Sequence, residues 1–176
     1  MPFTHLDKGT WLHNRPEIDV YRLLIDAYRL RVEDTYTMEG VLMEGSVYAG
    51  NTDGLRGFQV FLRTAATISG LLPPWWNDEK RTTCERLGMD ASQWSDLRCA
   101  VEKSDIIEQY GDPQFPMQLR MLAEAVYRRG PGGSDGTAMR KMMASMERGA
   151  LGSDVRGAVL DTTTMGLSDI HNGGSS

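Results

Sequence analysis

Cysteine and histidine are scarce in this chain. Two cysteines, Cys84 and Cys99, and three histidines in 176 residues are too few for a Cys-rich zinc module or a disulfide framework. A buried, reduced pair of thiols is the plain expectation. The two lie on neighbouring predicted helices, so a bridge between them stays open. A basic excess is also missing. Net charge is −5, with 7 Lys/Arg against 9 Asp/Glu in residues 1–70 and 12 against 15 in residues 71–176. Neither part is the basic stripe that a nucleic-acid footprint needs. No Asn-x-Ser/Thr acceptor occurs, and "MPFTHLDKGTW" at the start lacks the apolar centre of a secretory signal. No apolar run nears the roughly 20 residues of a bilayer span. These absences predict an intracellular protein, in cytoplasm or nucleus with the mitochondrion left open. They predict no membrane, nucleic-acid, cofactor or metal partner.

What is present is helical pattern with glycine and proline punctuation. Hydrophobic residues make up 40% and charged residues 24%, ordinary for one globular domain able to bury a core. Residues 1–15 carry no clear period and are expected to be irregular. Pro16 opens a helix that the pattern extends to about residue 35. Ile18, Tyr21, Ile25, Tyr28 and Val32 form its apolar stripe, flanked by Val20, Leu23, Leu24 and Ala27. Asp19, Arg22, Asp26, Arg29 and Glu33 form the opposite face, expected in solvent with Arg22–Asp26 and Arg29–Glu33 as i,i+4 pairs. Glycines break the pattern over 36–53. Phe58, Phe61, Leu62 and Ala65 restore it over about 54–69. Asn77 or Asp78 can cap a helix that ends at Gly88. Asp90 and Gln93 have capping-box spacing and predict another helix through Trp94, Leu97 and Val101. Short helices follow from about Ser104 to Gly111 and from Pro116 to Arg129, then one over about 135–148 closed by Gly149. The last 27 residues are rich in Gly, Ser and Thr and are expected to be a flexible or extended tail, 150–176. The result is an all-α domain of about six helices over 16–149.

Few residues suggest chemistry. "GPGGSDG" at 130–136 lacks the lysine of a phosphate-binding loop and follows a helix rather than a strand, so it predicts a linker. His5, Asp7 and His13 resemble a two-His-one-carboxylate set but crowd into a segment expected to lack structure. Asp105, Glu108 and Asp112 lie close together and could form an acidic pocket of a small-molecule enzyme. Paired carboxylates do such work only when burial splits their pKa values, and a solvated face is the simpler expectation. No Ser or Cys has an evident base. The distinctive feature is "AMRKMMASMERG", where Met139, Met142, Met143 and Met146 fall at i, i+3, i+4 and i+7. They can close the core. They can also form an adaptable docking face, because thioether side chains remould against a partner. Trp75 and Trp76 likewise either anchor in the core or wall a groove.

The strings "GLLPPWW", "SQWSDL", "VEKSDIIEQYGD", "MQLRMLAEAVYRRGPGG" and "AMRKMMASMERG" resemble the region after the zinc finger in a group of fungal MYND-type zinc-finger proteins. The likeness covers about residues 2–149. None of these strings is a catalytic motif, so no functional residue is carried over. The finger's Cys/His ligand set is missing here, so zinc binding is not implied. The resemblance implies an intracellular regulatory or scaffold role through protein contacts. With the residue pattern, it predicts a non-enzymatic interaction module, an adaptor or accessory subunit. Its expected partners are proteins, a second copy of the chain among them. Contact is expected through Trp75, Trp76, Met139, Met142, Met143 and Met146.

Overall fold

The computed structural model describes residues 1–156, with side chains described as far as residue 149. It is all-helical, as the pattern predicts, and has no strand among the described residues. Among the described residues seven α-helices follow one another: α1 (Pro2–Lys8), α2 (Glu17–Glu39), α3 (Leu55–Ala66), α4 (Asp78–Gly88), α5 (Lys103–Tyr110), α6 (Phe115–Tyr127) and α7 (Thr137–Arg156). Short 3-10 turns at Val47–Ala49 and Pro131–Gly133 lie in two of the connections.

The expected irregular start is corrected. Pro2 stands in the first turn of α1, and Gly9, in the left-handed region at φ 74°, stops it. Phe3, Leu6, Trp11 and Leu12 are buried, so residues 1–15 belong to the folded body. So short a helix is not stable alone, and packing supplies what periodicity could not signal. The other end also differs. α7 runs through Gly149 to Arg156 rather than closing there, because a helical glycine costs only about 1 kcal/mol relative to alanine. The rest of the expected tail, residues 157–176, lies outside the described residues.

α2 is the central element. It packs on α3, α4 and α6, while α5 packs on α6 and α1 on both α6 and α7. Tyr21, Leu24, Ile25 and Tyr28 meet Phe58, Phe61 and Leu62 of α3 and Leu119, Leu122 and Val126 of α6 in one buried core. α3 approaches so closely that a Cβ on Gly57 would stand 2.1 Å from the Tyr28 hydroxyl. Asp34 joins α2 to α6 by accepting two bonds from the Arg120 guanidinium, at 2.7 and 2.9 Å.

The polar face of α2 is where the structure departs most from the helical pattern. Asp26 is fully buried and Arg29 nearly so. They pair with each other at i,i+3, 2.9 Å apart, rather than with Arg22 and Glu33. The cause is residues 89–102, expected to be helical but folded as turns over this face. Asp90 makes an Asx turn instead of a capping box, accepting from the Ser92 N–H at 2.9 Å. Such a segment leaves carbonyls without helical partners, and one guanidinium collects them. Arg29 donates to the carbonyls of Trp94 (3.2 Å), Asp96 (3.2 Å) and Cys99 (3.0 Å) while stacking on the Trp94 ring at 4.7 Å. Asp26 accepts further bonds from the Ser95 hydroxyl at 3.0 Å and the Tyr110 hydroxyl at 2.5 Å. Burial pushes the Asp26 carboxyl up, and Arg29 followed by the two hydroxyls opposes that rise.

Arg29→Met keeps the stem and removes the fork. It leaves Asp26 without its cation and three carbonyls, that of Asp96 buried, without this donor. Losing one partner of a buried ion pair costs about 3–5 kcal/mol, which lowers the melting temperature by roughly 10 °C in a domain of this size. A thermal melt followed by circular dichroism checks this, and a shift of one or two degrees would show that the network contributes little.

Candidate interaction surfaces

α7 is fastened at its start and along residues 140–147. Its N-terminus receives a carboxylate from α6: Glu124 accepts the Gly136 N–H at 2.9 and 3.2 Å. The "GPGGSDG" stretch is therefore a linker, and α6 already occupies the one place where an anion could sit. Toward its other end α7 lies antiparallel to α1. Glu147 accepts the backbone N–H groups of Phe3 (3.0 Å) and Thr4 (2.7 Å) and the Thr4 hydroxyl (2.8 Å), thus capping α1. Asp7 at the far end of α1 pairs with Arg140 at 3.1 Å and Lys141 at 3.3 Å. These cations hold the Asp7 carboxyl below its usual range, Arg140 first.

This docking orients the methionines and divides them. Met143 is 9% exposed and packs with Ala144 in the core. It therefore stands in the core rather than on the exposed contact face expected for it. Met139, Met142 and Met146 are 43%, 48% and 40% exposed. At i, i+3 and i+7 they form one stripe along the outer side of α7. One thioether thus closes the core and three stay exposed, on adjacent sides of one helix.

Trp75 and Trp76 are half-buried and both set their edges against Tyr21, at centroid distances of 6.0 and 6.1 Å. Trp75 also lies beside the Lys80 ammonium, 5.9 Å from its ring centre. Trp76, with Arg63 and Arg81, lines an open groove of about 570 Å³. Each ring therefore anchors α2 on one side and keeps another side accessible.

The other candidates come apart. Asp105 accepts the Glu102 N–H at 2.8 Å in the capping box of α5, Glu108 is exposed, and Asp112 accepts the Gln114 N–H at 2.8 Å in a turn. They form no shared acidic pocket. His5 bonds to Thr10 at 3.0 Å, His13 to the Gly70 carbonyl at 2.8 Å, and Asp7 is held by α7. No group of three potential metal ligands gathers among the described residues. Both cysteines are free: Cys84 is buried, with burial raising its thiol pKa, and Cys99 is exposed. No described helix is long and apolar enough to cross a membrane.

A second open groove, of about 580 Å³, went unread in the sequence. Arg15, Arg22, Trp94, Tyr110 and Phe115 line it. These residues come from three separate stretches of chain, 15–22, 94 and 110–115, so no local pattern marks the groove. No family model, curated protein or solved structure matches the chain.

Two outcomes follow from the placement of α7. Met143→Ser should cost about 2 kcal/mol or more, as for other core methionine truncations, whereas Met142→Ser should stay within about 0.5 kcal/mol, as at ordinary surface sites. Urea melts of the two variants check the pair. The Asp7 pair adds a pH dependence. A carboxyl with a lowered folded pKa stabilises fully above its ordinary value of 3.8 and loses that contribution as pH falls through the folded value. The stability gap between the native chain and Asp7→Asn should therefore be constant near neutrality and close below about pH 4. A gap that persists at pH 2 would assign it to packing.

Proposed function

We propose that the chain is a non-enzymatic protein-interaction module, an adaptor or accessory subunit, that receives a protein partner on the outer side of α7. One observation carries this: Met139, Met142 and Met146 remain 40–48% exposed in one stripe on a helix that is itself rigidly fastened. A stripe of large apolar side chains at helical spacing fits an amphipathic helix or an extended segment laid along it. Methionine suits such a face because the thioether adapts to irregular partners at little strain. The accessible sides of Trp75 and Trp76 offer a further contact of the kind that dominates interface energetics. A second copy of the chain is one such partner. The likeness to the region after the finger in fungal MYND-type proteins points to the same kind of role.

The test uses the full chain as bait in extract of its native source, with mass spectrometry of what is retained. The expected result is a partner recovered at constant stoichiometry by the native chain. It is lost by the triple variant Met139→Ser, Met142→Ser, Met146→Ser, whose melt stays within about 1 kcal/mol of the native one. Equal recovery by native chain and triple variant would refute the α7 face.

A further inference from the structure

The groove between the start of α2 and the segment over its polar face has the composition of a binding site rather than of ordinary surface. Its basic side is Arg15 and Arg22. Arg15 is already fixed: its Nε donates to the Trp11 carbonyl at 2.6 Å and its guanidinium stacks on the Trp11 ring at 4.6 Å. Its two terminal nitrogens make no hydrogen bond, and Arg22 makes neither hydrogen bond nor ion pair, among the described residues. Eight other Lys and Arg side chains do find carboxylates there. Asp19 lines the same groove, so the local charge is close to one net positive on a chain of net −5.

Its apolar side is aromatic. Tyr110 and Phe115 stack at 4.1 Å and 14°. Trp94 meets Tyr110 edge-on at 6.4 Å and stays 36% exposed, with Arg29 held on its ring. These walls are stiff because the buried network sets them: the Tyr110 and Ser95 hydroxyls and the Trp94 carbonyl all bond to Asp26 or Arg29. Trp, Tyr and Arg in a preorganised setting are the residues that concentrate energy at protein interfaces, and preordering them lowers the entropic cost of binding.

We propose that this groove binds an extended acidic peptide segment of a partner protein. One carboxylate side chain lies between Arg15 and Arg22, and a neighbouring aromatic side chain covers the exposed part of Trp94. A carboxylate is the planar acceptor that guanidinium forks take in parallel bonds. The net single positive charge matches one such group. The open shape suits a segment that keeps one side in water. The site is separate from the methionine stripe and shares with the proposed function only the premise that the chain binds protein.

The experiment is selection of a displayed random heptapeptide library on the immobilised full chain, repeated on Arg22→Gln. Arg22 has no partner among the described residues to lose, so that variant should fold, and its circular dichroism melt verifies this. The expected winners carry Asp or Glu within two residues of an aromatic side chain. A winner made synthetically should bind more weakly with rising salt. It should lose about tenfold or more in affinity on Arg15→Gln or Arg22→Gln, and keep full affinity for the triple methionine variant. Lack of enrichment, winners without acidic residues, or equal affinity for Arg22→Gln would overturn the proposal. So would displacement of the winner by adenosine monophosphate at lower concentration than the peptide itself requires, which would assign the groove to a nucleotide. Loss of groove binding with partner recovery through α7 intact would sink this site alone.

Discussion

One buried guanidinium holds the irregular part of this protein in place. Residues 89–102 make no helix, so their carbonyls must find donors or water. Arg29 supplies donors to three of them and shares the same fork with Asp26. A buried pair of this kind is a poor source of net stability, because desolvating both charges offsets most of their attraction. Its effect is on uniqueness: only one path of the segment places three carbonyls and two hydroxyls around one ion pair. The geometry of Trp94, Ser95 and Tyr110, and therefore of the groove they wall, depends on that path.

The two ends of the chain settle each other in a similar way. α1 is too short to persist alone, and α7 leaves most of its stripe in solvent. Glu147 caps α1, and Asp7 returns a charge to α7. The contact joins residues about 140 positions apart in sequence, so a large loop-closure entropy accompanies it. Once formed, it decides which thioether is inward. Met143 completes the core, and its three companions face out with a fixed orientation.

Two exposed faces with different chemistry result. The α7 stripe is apolar and adaptable. The groove beside α2 is aromatic and guanidinium-rich, and its walls are rigid. Among the described residues no group of three potential metal ligands gathers on either face. The carboxylates that looked close in sequence are used locally, Asp105 to cap a helix and Asp112 to shape a turn.

Much of the helical plan was legible from residues alone. Asn77, Gly88, Gly111 and Pro116 mark helix ends close to where α4, α5 and α6 begin or stop, because caps and breakers act through the local backbone. Apolar spacing likewise exposed the inward sides of α2, α3 and α6. The fate of the α2 polar face was not legible. Asp26 and Arg29 stand at spacings that read as a wet surface, and only the segment 89–102 laid across them makes them interior. The same limit hid the groove, whose arginines and aromatic rings come from distant stretches. It also kept the four methionines looking equivalent until α1 docked on one side of their helix. Local pattern determines what each stretch can become. Burial is a property of what covers it, and here the covering pieces come from far along the chain.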